Sequence, residues 1–343
     1  MARRNLLLVA LVLVALAAVS HFSSKRDGKN TDPKIGKPIV DSALFDAADT
    51  ILFEKGDQRT ELQKDGGQWS VKDKAGYPAD MEKLLRILEK VSSYTVSSLI
   101  TKDADRLGDF TVLYNGEENA TAGTSGSQLT LRQADKTLFT MVLGKNRKAV
   151  EGTNFGGTYI RIGDQKAVYL IQEELSFETD PQQWLRTTLF HIPKEQIQSI
   201  DFEVEKESFG LAREDEEKPF LLKDLKEEEK LESDPLSSAM YDLEGFSIKD
   251  VKAFSDPLYD GLHKVSSVFV TLFDKKEVAF EILYQSVKSG DEEVKEHFVK
   301  ILPTARPFSP SIEELGGKWL FVVDEWKIKK WMKPRKEYLK SES

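Results

Sequence analysis

Four histidines, His21, His191, His263 and His297, are the first side chains to weigh for metal or proton chemistry. They stand singly, without the close spacing of a helix-borne metal pair, so each reads as a structural histidine. The stretch nearest to a serine-hydrolase elbow, Gly123-Thr124-Ser125-Gly126-Ser127, lacks the Gly-x-Ser-x-Gly pattern and has the composition of a loop. Gly316-Gly317-Lys318 lacks both the earlier glycine and the following Ser or Thr of a phosphate loop, and no Gly-x-Gly-x-x-Gly follows a strand. With 58 acidic residues, counting neither excludes nor locates a glycosidase-like acid and base pair. The runs Glu214–Glu217 and Glu227–Glu229 would attract calcium, but they lack the alternating Asp/Asn ligands and central glycine of a calcium loop. They read as a solvated face or hairpin tip. Asn119-Ala120-Thr121 is formally a glycosylation sequon, a triplet common by chance. The sequence therefore predicts no catalytic, cofactor-binding or metal-binding residue.

One stretch stands against the acidic background. From Trp326 to Lys336 basic side chains alternate with aromatics, which suits a membrane interface or an acidic partner surface, where rings bury and ammonium groups stay wet. Trp326, Lys329, Lys330, Trp331 and Lys333 are the candidate interface residues. The alternative is that Trp326 and Trp331 close the core of the second module, as Trp184 would close that of the first, and leave the lysines in solvent.

The elements that would position such residues begin with a membrane signal. Leu6 to Phe22 is an uncharged apolar run behind Arg3 and Arg4, which hold the N-terminus on the cytoplasmic side. As a helix it spans roughly 26 Å against a hydrocarbon core of about 30 Å, short for an anchor. It reads as a retained single-pass anchor in the inner membrane, with the body on the extracytoplasmic, periplasmic side. Cleavage as a signal peptide competes, but Ala15-Leu16-Ala17 lies inside the run and not after it. The chain has no cysteine, which excludes a lipoprotein anchor and disulfides, so an extracytoplasmic body must rely on its core. Four of the basic residues, Arg3, Arg4, Lys25 and Arg26, precede the first acid, so the body is more acidic than the net charge of -9 indicates. Nucleic acid and anionic lipid are disfavoured as general partners.

Ser23–Pro38 reads as a flexible tether. Beyond it, Thr50–Glu54, Arg59–Lys64 and Gln68–Lys72 alternate as a three-stranded meander with turns at Gly56-Asp57 and Asp65-Gly66-Gly67. Asp80 caps a helix carrying Met81, Leu84, Leu85, Leu88 and Val91. A strand around Tyr94–Ile100 follows, then strands at 129–132, 137–143, 158–162 and 167–171 with turns at Gly144 and Gly163, and a short helix opened by Asp180-Pro181.

The second half repeats this order. Leu44-Phe45, Ile51 and Phe53 match Leu189-Phe190, Ile200 and Phe202, and Leu62 and Trp69 match Leu211 and Phe220. Leu88–Val91 matches Leu243–Phe246. Leu129–Leu131 with Thr137–Phe139 matches 268–272 with Val278–Phe280, and Val168–Ile171 matches Leu320–Val323. The expected fold is α+β: two similar modules of antiparallel sheet, each covered by a helix, behind one N-terminal transmembrane helix. The divisions are 1–22 anchor, 23–38 tether, 39–187 module one, 188–333 module two and 334–343 basic tail.

Ala47–Ile51, Gly66–Val71, Lys136–Lys145, Gly157–Arg161 and Asp180–Phe190, with the Arg-Arg-Asn-Leu-Leu-Leu start, resemble the bacterial family called domain of unknown function 4340. The resemblance runs over Arg3 to Phe202 and is loose in the second half, where the charged stretch from Arg213 to Glu232 departs from the usual meander. It implies a membrane-tethered protein, often encoded beside an ABC-type exporter and its gliding-motility-like auxiliary component. It supplies no catalytic residues. The functional expectation is a non-catalytic accessory or scaffold whose partners are the membrane and ABC-type transporter components. An extracytoplasmic carbohydrate- or peptide-binding module is the alternative, and a carboxylate-based hydrolase the second.

Overall fold

The computed structural model describes residues 32–148, 156–232, 243–290 and 292–340. The first strands form where alternation places them: Thr50–Lys55 (β1), Gln58–Asp65 (β2) and Gln68–Val71 (β3). Gly66 and Gly67 take φ of 54° and 85° in the turn between β2 and β3, a conformation that costs a glycine little. After Tyr77–Pro78 (β4) the helix Met81–Ser93 begins at the expected cap, with the Lys83 amide donating to Asp80 Oδ1 at 2.9 Å.

Ser98–Thr101 (β5), Ser127–Gln133 (β6), Lys136–Arg147 (β7), Gly157–Ile162 (β8) and Val168–Ile171 (β9) complete a nine-stranded sheet ordered β4-β3-β2-β1-β6-β7-β8-β9-β5. One face buries Ile51, Phe53, Leu129, Leu131, Met141 and Ile160. The other carries a cap between β5 and β6 in which Leu107, Phe110 and Val112 pack on Val142 and Val168.

Thr188–Phe190 (β10) pairs with Phe246–Ser247 (β14) as a separate two-stranded sheet. Ile197–Val204 (β11), Glu207–Ala212 (β12), Leu221–Leu222 (β13), Asp250–Ala253 (β15), His263–Leu272 (β16), Glu277–Ser289 (β17), Glu292–Leu302 (β18) and Trp319–Val323 (β19) form an eight-stranded sheet. Its order is β13-β12-β11-β16-β17-β18-β19-β15. Its outer face has a cap of its own between β15 and β16, where Phe254, Leu258, Tyr259 and Leu262 pack on Leu283, Phe298, Leu320 and Val322. Both sheets are antiparallel and the fold is α+β.

The two strand orders coincide when β1, β2, β3, β5 and β6–β9 are read as β11, β12, β13, β15 and β16–β19. Register agrees across the middle of the two sheets, with the bulges at different places. Phe53 faces Leu129, which faces Met141, as Phe202 faces Val268, which faces Phe280. Ile160 faces Tyr169 as Val299 faces Phe321. In the row Glu54, Gln128, Val142, Arg161 the corresponding residues are Glu203, Ser267, Glu281, Lys300. Each sheet thus sets a cation at the same place on its capped face.

Three sequence readings shift. Met141, and not Phe139, stands where Phe280 does, because register and not local likeness sets the match. Leu189-Phe190 lies in β10, the counterpart of the segment around Pro38 that bridges Thr95, whereas Leu44-Phe45 lies in the short helix Ala43–Ala47. Gly144 is no turn: it lies inside β7, where a Cβ would come within 2.1 Å of the Phe110 carbonyl oxygen.

Among the helices, Met81–Ser93 buries only Leu84 and Val91, while Met81 and Leu85 stay exposed. Pro310–Lys318 packs against β18 and β19, with Gly316 so close to Ile301 that a Cβ would fall 2.5 Å from the Ile301 Cβ. By compactness the chain divides into two units, Met1–Arg59 with Leu85–Thr179, and Thr60–Leu84 with Asp180–Ser343. Among the described residues no helix is long and apolar enough to cross a membrane, and Leu6–Phe22 lies outside them.

Candidate interaction surface

The basic and aromatic stretch is divided by the fold. Trp331 is fully enclosed, its ring 5.1 Å from Phe280 and 5.5 Å from Phe246, so it closes the core of the second sheet and offers no surface. Trp326 is 68% exposed on the one-turn helix Glu325–Ile328, beside Lys327, which is tied back to Ser247. Lys329 is exposed, and Lys333 is half-buried and 4.0 Å from Glu337. Lys330 is half-buried, and burial pulls its ammonium down to about 8. The surface that remains is Trp326 and Lys329, with Lys333 at its margin.

The buried charges serve the caps. Arg161, fully buried, makes a bidentate pair with Glu117 at 2.7 and 2.9 Å, and its guanidinium lies 4.7 Å from the Tyr114 ring. Hydrogen bonding to Arg161 holds the Glu117 carboxyl below the usual carboxylate range. Burial pushes the Tyr114 hydroxyl up to about 12. In the second sheet Glu281 accepts from Tyr259 and pairs with Lys264 at 2.8 Å, while Lys300 donates to the Gly316 carbonyl and lies against the Phe254 ring. The hydrogen bond to Glu281 lifts the Tyr259 hydroxyl to about 12. A general acid needs a raised carboxyl, and Glu117 is shifted the opposite way.

His297 lies in β18 beside Tyr284, and burial lowers its imidazole below the ordinary value. The acidic run is anchored at its end, where Glu229 pairs with Arg335 at 2.6 Å and that hydrogen bond holds its carboxyl near 2. Among the described residues no three His, Cys, Asp or Glu side chains converge to hold a metal ion.

Sequence reading missed a projecting arm. β17 pairs with β16 as far as Tyr284 opposite His263, and β18 pairs with β19 only from His297 opposite Val323. Beyond those limits Gln285–Ser289 and Glu292–Glu296 pair with each other alone. Ser286, Lys288, Glu292, Glu293, Val294 and Lys295 are exposed along it. A cleft of about 320 Å³ follows its root, lined by Val287, Val294, Glu296 and His297 on one side and by Gln182, Lys249, Asp324 and Glu325 on the other. The signal available in the sequence was the length of the two strands, both longer than their neighbours.

A second cleft, of about 510 Å³, opens on the first sheet between Tyr114, Phe139 and the polar side chains Gln128, Thr130, Arg132 and Thr140. A family profile described as domain of unknown function (DUF4340) matches residues 69–264. The chain belongs to that family. The DUF4340 match runs from β3 to the beginning of β16, so it includes the Arg213–Glu232 stretch and starts well after Arg3. No curated protein and no solved structure matches the chain.

Proposed function

We propose that this chain is a membrane-tethered accessory protein that holds a doubled sheet body outside the cytoplasm and acts by protein contact within an ABC-type envelope transport assembly. The observation that carries the reading is the arm of β17 and β18, an exposed two-stranded ribbon with open edges, the form of surface to which other chains add strands. Charged side chains line this edge at Glu292, Glu293, Lys295 and Glu296, and between them Val294 remains 40% exposed. Leu6–Phe22 and the polar stretch Ser23–Thr31 behind it support placement at the membrane, the expected tether ending before Asp32–Pro38, which dock on the first sheet through Tyr169, Val96 and Thr95. The resemblance to relatives encoded beside exporters supports the assembly. The matched register of the two sheets supports duplication of one module. Affinity purification of the full chain from gently solubilised membranes is expected to return transporter components identified by mass spectrometry. Their absence would end this assignment.

A second reading, binding of a carbohydrate, is favoured by the Tyr114 cleft, where an aromatic ring stands beside hydroxyl and amide side chains. Glycan-array binding that is lost in Thr130→Val with Thr140→Val would favour it over the scaffold.

A further inference from the structure

We infer that the arm is a self-recognition device: two copies of this chain join by antiparallel pairing of their β18 edges, on a two-fold axis through Val294. This rests on the reading of the arm as a contact surface and names its occupant.

The open part of the edge is short and defined. It runs from Glu292 to Glu296, because His297 already faces Val323 of β19. Its middle residue is Val294. The pleat decides which backbone groups are available. Phe254 N donates to Lys318 O at 2.8 Å, which turns the backbone groups of Leu320 and Val322 toward β15 and those of Phe321 and Val323 toward β18. By the same alternation His297 and Val299 of β18 point to β19, so Glu293 and Lys295 direct their N–H and C=O groups to the side that β19 has left. Val294 and Glu296 point inward to β17.

Antiparallel pairing of this stretch with itself then places each residue. Glu293 faces Lys295 of the other copy, twice, exchanging backbone hydrogen bonds with opposite charges side by side. Val294 faces its own copy in the non-hydrogen-bonded position, where side chains approach most closely. Since Val294 already faces Val287 within the arm, the joined ribbons carry a continuous row of four valines. Glu292 faces Glu296, also twice, but each Glu296 is paired within its own copy with Lys252 at 2.6 Å and accepts a hydrogen bond from Gln285 at 2.7 Å, which offsets the like charges. The opposite edge of the arm has no such complementarity, because pairing about Val287 would set Ser286 against Lys288.

Five residue pairs bury less than the roughly 1,200 Å² of a stable interface, so the contact is weak in dilute solution and grows where tethers confine the copies to one membrane.

The chain has no cysteine, so a single introduced thiol reports alone. Val294→Cys, in the full chain within membranes under mild oxidation, should give a disulfide-linked dimer, since partners across this position lie about 4.5 Å apart between Cα atoms. Glu293→Cys sits on a diagonal of about 7–8 Å and should cross-link at least fivefold less. Trp326→Cys supplies the collision baseline of an exposed site. Adding Glu293→Lys to Val294→Cys should cut the dimer severalfold, and adding Lys295→Glu as well should restore it. Cross-linking of Val294→Cys no greater than that of Trp326→Cys, or unaltered by Glu293→Lys, overturns the inference. Recovery of transporter components by the unaltered chain is a separate readout and would survive that result.

Discussion

At the scale of single residues, the charges inside this protein hold segments against sheets. Arg161 joins Glu117 on the loop after Val112 and so fastens the cap of the first sheet. Arg161→Met should lower the stability of the first unit by about 2–3 kcal/mol, less than the loss of a fully buried partner because Glu117 is about a quarter exposed. Urea unfolding compared with Glu117→Gln, which keeps a hydrogen-bond acceptor, is the measurement; equal stability of Arg161→Met and wild type would contradict the role. His297 makes a second prediction. Burial favours its neutral form, so the unfolded chain takes up a proton first as the pH falls below about 6.5. Stability is therefore greatest above that pH and declines below it until His297 protonates in the folded state. His297→Thr, which installs the residue of the matched position Thr158, should flatten this decline in melting temperatures recorded between pH 7.5 and 5.

At the scale of elements, close backbone approach positions the caps. A Cβ at Gly144 would meet the Phe110 oxygen, and one at Gly126 would lie 1.9 Å from the Leu143 oxygen. Gly144→Ala should cost about 2–3 kcal/mol by lifting the Phe110 cap from β7, whereas Gly245→Ala, where nothing lies within 4 Å, should change stability little. The same elements show how far the sequence could be read. Alternation found β1, β2, β3 and β6–β9, and the Asp80 and Asp180 caps, because period two and capping chemistry are local. Gly144 was misread because a glycine in a strand and a glycine in a turn look alike until the segment packed above is known. Trp331 and Trp326 share an aromatic, lysine-rich context, yet one fills the core and the other faces solvent. The length of β17 and β18 is a signal in the sequence, but that their ends pair with each other alone follows only from where β16 and β19 stop beside them.

At the scale of the whole molecule, one strand order and one central register serve both sheets, with Arg161 and Lys300 at matching places and one face of each capped by the segment preceding β6 or β16. In the proposed account this doubled body hangs from Leu6–Phe22 by a polar tether, and its function lies in what the arm and exposed surface meet. That order of sides is the claim on which the rest depends. Lys329→Cys places a single exposed thiol on a chain without cysteine, and a membrane-impermeant maleimide applied to intact cells or spheroplasts reads its side directly. The account predicts labelling before lysis on a membrane-bound chain; labelling only after lysis would contradict it.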